Sequence, residues 1–197
     1  MKSFLKPIFI AFVLTGFYIT SWAQPSSGIK VGTNYTFYND NDITNFSPKI
    51  GFQFGYAWDI ELNESFALSI EGMFTRKSAN VQTHVEELNI YHEDNRKANY
   101  LSAPIGINYC LKNAYIGVGY EFGYMVSGDL PVNTYDHALF LQAAYKIRYF
   151  DIALKYAVTL NKEPGGILVY IPGSTNQYYT PKANTLQLSL IFNFGKK

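Results

Sequence analysis

Few residues of this chain combine the types and spacing that chemistry requires. His84 and His92 share one polar stretch with Glu86, Glu87, Glu93 and Asp94, a mixture of imidazole and carboxylate that suits a divalent metal. Long acidic stretches are more often solvated than ligating, so no metal or other cofactor is expected there. The run Asn39 to Asp42 also offers oxygen ligands, but it lacks the spacing and glycine of a calcium loop and reads as a turn. Covalent catalysis needs a nucleophile with a base in reach. His84, His92 and His137 are predicted in loops or at a strand end, none stands in a recognisable serine motif, and Cys110 has no histidine nearby. The chain therefore reads as no enzyme, and a single cysteine excludes an internal disulfide framework or a cysteine-rich zinc site.

A second set of charges is more regular. Lys30, Lys49, Asp59, Glu61, Glu71, Glu121, Lys146 and Lys155 are out of phase with neighbouring rows of large apolar residues, four of each sign. If those rows are faces of β-strands, the eight charges share the opposite face. Glu71, Glu121 and Lys155 are expected at mid-height, and Lys30, Asp59, Glu61 and Lys146 nearer one rim. A charge enclosed in a narrow interior costs several kcal/mol unless it is paired or hydrated. The balanced set predicts a salt-bridged network that closes the interior; a narrow channel for ions or small solutes is the alternative.

The elements that must position these charges follow from a hydrophobic period of two. Ile50, Phe52, Phe54, Tyr56, Trp58, Ile60 and Leu62 form the longest single-face row, and Ile116 to Tyr124 and Leu186 to Phe194 alternate in the same way. Eight such rows lie between residues 29 and 194, each about as long as the ~9–11 residues a tilted strand needs to cross a bilayer. Short connections fall at Asn63-Glu64, Leu111-Lys112-Asn113 and Arg148-Tyr149, and long polar ones at about residues 39–47, 78–98, 128–136 and 162–183. This rhythm predicts an all-β protein, an eight-stranded antiparallel up-and-down transmembrane barrel with short periplasmic turns and long extracellular loops.

Which face meets solvent is decided by the residues opposite the aromatic rows. Gly32, Gly51, Gly55, Gly106, Gly117, Gly119 and Gly123 alternate there with Asn34, Gln53, Asn108, Gln142, Gln187 and Ser189. These are too small and too weakly charged for a solvated exterior, but they fit the narrow lumen of an eight-stranded barrel. The large residues are therefore expected to face lipid. Trp58, Phe66, Tyr109, Tyr145, Phe192 and Phe194 would form one interfacial band, and Tyr35, Phe37, Phe74 and Tyr124 the other.

Composition agrees. In 197 residues, 17% are aromatic and 16% charged, and 16 basic residues nearly cancel 15 acidic ones, so nothing marks a nucleic-acid partner. The mean hydropathy of -0.07 is too low for a bundle of membrane helices. Residues 1–23 read as an export signal: Lys2 and Lys6, a short apolar stretch from Pro7 to Ile19, and Ser21-Trp22-Ala23 at the cleavage site. Residues 24–197 would then be the barrel, in the outer membrane of a Gram-negative cell.

The alternating short and long connections, the stretch Ala98 to Tyr109 and the closing Leu186-Gln-Leu-Ser-Leu-Ile-Phe-Asn-Phe194 resemble the PorT-like outer-membrane β-barrel proteins, related in architecture to the OmpA and OmpX barrels. The resemblance implies the barrel fold, the outer-membrane location and a role near secretion or gliding, while the narrow lumen and the long loops lead to the expectation of a structural or binding protein or a subunit of an envelope complex. The C-terminal strand also resembles the signal read by the barrel-assembly machinery, here followed by Gly195-Lys196-Lys197. Expected partners are outer-membrane lipid and lipopolysaccharide, that machinery during insertion, and another envelope protein. The last long loop carries Gly165 to Ile171, apolar and β-prone, followed by Tyr178-Tyr179. It is expected to extend the flanking strands as a hairpin, or to offer Tyr170, Tyr178 and Tyr179 as a docking surface.

Overall fold

The computed structural model of the chain describes residues 25–38, 44–85, 90–130, 132, 134–160, 167–169, 177–179 and 183–194. The segment read as an export signal, the Asn39–Asp42 run and Tyr170 lie outside the described residues. Ten strands appear among them: β1 (Pro25–Tyr38), β2 (Thr44–Glu61), β3 (Phe66–Val85), β4 (Ile90–Cys110), β5 (Ala114–Gly128), β6 (Tyr135–Ile147), β7 (Phe150–Thr159), β8 (Ile167–Val169), β9 (Gln177–Tyr179) and β10 (Ala183–Phe194).

Eight of these close into one barrel in the order β1-β10-β7-β6-β5-β4-β3-β2, each pair antiparallel. Closure leaves no free edge through the membrane, the condition lipid imposes on strands. The predicted rows are the outer face. Phe52, Phe54, Ile105, Ile116, Leu141, Leu154, Leu188 and Phe192 are all exposed, and both predicted aromatic bands point outward, with Phe74 partly covered by its neighbours. The opposite face is buried.

The turns lie where composition placed them. Asn63 caps the β2–β3 turn, its Oδ1 accepting the N–H groups of Ser65 and Phe66 at 2.9 and 2.8 Å. Arg148 takes positive φ in the two-residue β6–β7 turn, which right-handed strand twist favours. The long connections differ from expectation. Residues 78–98, read as a loop, instead continue β3 and β4 to Val85 and Ile90, paired throughout from Ser78↔Lys97 to Val85↔Ile90. The apolar period ends where lipid ends, whereas ladder hydrogen bonds continue with polar side chains. β2 joins this extension from Thr44 to Lys49, so three strands project beyond the barrel. The last loop also departs from expectation, since β7 and β10 do not extend into it. β8 and β9 form their own two-stranded ribbon, with Leu168 opposite Tyr178. In the sequence, Pro164, Gly165 and Gly166 interrupt the alternation that continuous strands would need.

A β-bulge corrects one inward residue. Lys49 was assigned to the lumen by simple alternation, but the β2–β3 register shifts between Lys49 and Phe52. Lys49 pairs with Ser78, and Phe52 with Arg76, so Lys49 joins the outer face.

Candidate functional site in the barrel lumen

The lumen is built from residues that alternate with the lipid-facing rows, and it is layered. At mid-height Glu71 of β3 lies between two lysines. Its Oε1 and Oε2 accept from Lys30 Nζ at 2.7 and 2.9 Å, and Oε2 also accepts from Lys155 Nζ at 3.1 Å. Glu121 Oε2 stands 3.9 Å from Lys155, whose ammonium also lies 4.4 Å from the centre of the Phe140 ring. Two cations and two anions thus meet with almost no solvent contact, Lys30 and Lys155 being 1% and 2% exposed. Amides and hydroxyls surround them: Gln53 Nε2 donates to Ser189 Oγ at 2.8 Å, and Gln142 Nε2 to Asn108 Oδ1 at 2.7 Å.

Two glycines make room for the aromatic ring of this layer. A Cβ on Gly106 would stand 2.9 Å from Phe140 Cζ, and one on Gly119 would meet both that ring and the Ile105 carbonyl. Phe140 therefore fills space that β4 and β5 leave empty. With Ala138 and Ala157 it forms an apolar wall on the loop side of the ionic layer.

Apolar layers lie beyond the charges in both directions. Toward the short turns, Ala57, Tyr115, Ala144, Ala153 and Ile191 pack together, with Cys110 at the edge of the cluster. Toward the long loops, Lys77 pairs with Asp136, and the mouth above is covered by Tyr38, Ala79, Ala98, Tyr100, Leu130, Val132 and Ala183. Leu130 and Val132 come from the β5–β6 connection. Gly128, at φ +147°, turns that chain inward, and the N–H groups of Asp129 and Leu130 then donate to the Lys97 carbonyl at 2.9 and 3.1 Å.

The structure brings together four of the eight charges predicted to share the lumen: Lys30, Glu71, Glu121 and Lys155. Lys30 joins the mid-height cluster instead of standing at the rim, because strand stagger and a four-carbon stem bring its ammonium to Glu71. Asp59 and Lys146 lie toward the turn-side mouth, where Lys146 Nζ is 5.5 Å from the Tyr115 ring. Glu61 is exposed at the end of β2. Three inward charges were missed: Lys77, Asp136 and Asp151, each just outside the apolar row of its strand. Extending the alternation two or three residues past each row would have found them. Of the histidines, His84 pairs with Tyr91 and His92 with Thr83 in the β3–β4 ladder, and their side chains lie outside the described residues. His137 lies on β6 with its Nδ1 hydrogen-bonded to the Tyr120 hydroxyl. Tyr178 and Tyr179 are in β9, and their side chains lie outside the described residues.

A family profile for the outer membrane protein beta-barrel domain matches residues 22–197. The chain belongs to this outer-membrane β-barrel family. No curated protein matches the sequence. Among solved structures, this outer-membrane barrel is similar to Ail, the attachment invasion locus protein of Yersinia pestis crystallised with the heparin analogue sucrose octasulfate, at 14% identity and TM-score 0.50, covering 87% of this chain and 99% of that one. It is also similar to OprG from Pseudomonas aeruginosa, at 12% identity and TM-score 0.50, covering 88% and 98%. Likeness at this level concerns the fold, a closed antiparallel outer-membrane barrel.

Proposed function

We propose that this outer-membrane barrel is a closed scaffold, locked by its lumen charges, that acts as a structural or binding protein through its extracellular surface or as a subunit of an envelope complex. One observation carries the reading: Lys30, Glu71, Lys155 and Glu121 meet at mid-height as a paired cluster with almost no solvent contact, and Leu130 and Val132 cover the loop-side mouth. A conducting path needs hydrated charges in line, and here the mid-height charges are spent on one another and almost without solvent contact, so a passing ion would have to break a buried pair, at a cost of several kcal/mol. In this reading residues 1–23 direct export and are removed, the barrel-assembly machinery inserts the chain, and the protein has no enzymatic role. Its lipid partners include lipopolysaccharide, and the PorT-like resemblance favours an envelope protein as a further partner.

Single-channel recording on the refolded, heat-modifiable barrel in a planar bilayer tests the closed state. A silent membrane is expected. Steady ion-selective conductance that changes in Glu71→Gln or Glu121→Gln would establish the narrow channel instead.

A further inference from the structure

The outer face of β2–β4 carries a graded ladder at its loop-side end. Phe54, Phe74 and Leu101 stand in register at the upper edge of the apolar belt. Next come Phe52, Arg76, Asn99 and Ser127, then Lys49, Ser78 and Lys97, and beyond them Ser47, Asn80 and Asn95. Apolar, basic and neutral polar rows thus succeed one another within a few residues. Cross-strand neighbours are about 5 Å apart, so Lys49, Arg76 and Lys97 fall within the span of one lipid headgroup.

Arg76 is fixed in place. Its Nε donates to Asn99 Oδ1 at 2.8 Å and its Cζ lies 5.0 Å from the centre of the Phe52 ring, while the guanidinium carries further N–H donors. Lys97 is exposed and Lys49 half-exposed. A carboxylate, that of Asp129, stands beside Lys97 and accepts its backbone N–H at 2.9 Å. Among the described residues, these three are the cations on the outer face above the turn-side rim; Lys30, Lys77 and Lys155 point inward, and Arg96, on the face of β4 opposite to Lys97, is paired with Asp94 at 3.2 Å. The corresponding ends of β5, β6, β7, β10 and β1 present Tyr124, Val126, Tyr135, Leu160, Asn184 and Phe37 instead.

We infer that Lys49, Arg76 and Lys97 form a docking site for the phosphate groups of an outer-leaflet glycolipid, whose acyl chains lie along Phe52, Phe54, Phe74 and Leu101. Charge complementarity selects the headgroup, since a basic row directly above an apolar belt sits at the depth of lipid phosphates, and an arginine binds phosphate by paired N–H donors. The inference rests on the reading that the long hairpins face the cell exterior.

The test uses the full mature barrel in mild detergent, titrated with bisphosphorylated lipid A and with its dephosphorylated form, and bound lipid counted by native mass spectrometry. The wild type is expected to prefer the phosphorylated lipid, and Lys49→Gln/Arg76→Gln/Lys97→Gln to bind it about 10- to 100-fold more weakly while keeping heat-modifiable mobility. If the triple variant does not fold, Lys97→Glu alone replaces it, and a drop of several-fold is expected. Equal binding of both lipids, or unchanged binding by the variant, overturns the site. Orientation is read separately, by labelling Lys97→Cys in a Cys110→Ser background on intact cells with an impermeant maleimide. Labelling with flat lipid binding sinks the docking site alone. Labelling only after permeabilisation overturns the orientation, and the docking site with it.

Discussion

At the scale of single residues, Glu71 is the member of the lumen on which most depends. It is the one carboxylate bonded to both Lys30 and Lys155. Removing its charge leaves two buried cations to share Glu121, which stands 3.9 Å from Lys155. Glu71→Gln is expected to destabilise the barrel by about 3–5 kcal/mol, the usual cost of breaking a buried pair from one side. The urea midpoint of heat-modifiable mobility reads this out, and a midpoint equal to that of the wild type would show the cluster to be energetically idle. The quadruple change of Lys30, Glu71, Glu121 and Lys155 to Met should cost far less, because no member of the cluster is then left as an unpaired charge. Glu71 was legible in the sequence because it interrupts an apolar row in the middle of a strand, where alternation is least ambiguous. Lys77, Asp136 and Asp151 were not, since each lies just beyond the lipid-facing apolar row of its strand, Lys77 where β3 continues with polar residues and the two aspartates at the second position of β6 and β7. Lys49 failed differently: a bulge inserts one residue, and alternation counted across it reports the wrong face.

Among the elements, the β5–β6 connection closes the loop-side mouth. Leu130 is 3% exposed and Val132 9%, and both pack on Tyr38 and Tyr100 above the Lys77–Asp136 pair. Leu130→Asp would place a carboxylate in that apolar layer, at a cost of several kcal/mol unless the connection swings out to hydrate it. The prediction is that the mouth opens. A thiol reporter at buried Ser102, in a Cys110→Ser background, should react slowly with a small water-soluble maleimide in the parent and quickly in Leu130→Asp. Equal rates would mean that the connection does not seal the lumen. Sequence reading recovered all eight barrel strands and their turns, because lipid enforces an apolar period on every residue it touches. It missed the extension of β3 and β4, where water accepts any side chain and only the backbone ladder persists. The ribbon of β8 and β9 was half seen: its β-propensity was plain, but its separation from β7 and β10 was not.

The molecule as a whole divides into a lipid-enclosed barrel and a three-stranded projection. β3 and β4 have 20 and 21 residues, about twice the ~9–11 needed to cross the membrane. Hydrogen exchange should resolve the two parts. Amides of β3 from Phe66 to Thr75 are expected to stay protected for hours in bilayer nanodiscs, while those from Ser78 to Val85 exchange orders of magnitude faster, because their strands can open in water without exposing backbone to lipid. Uniform protection along β3 would show instead that the projection is stabilised by something beyond its own ladder. The projection also sets a distance. From the row of Ser78 and Lys97 to the pair Val85↔Ile90 is seven residues of strand, roughly 20 Å at ~3.3 Å each after allowing for tilt. At physiological ionic strength the Debye length is about 8 Å, so the tip stands more than two screening lengths from the charged lipid surface. Contacts made there would be insensitive to the sign of that surface, and so a barrel holding an anionic lipid at its loop-side rim would still meet an anionic partner at its tip without one repelling the other.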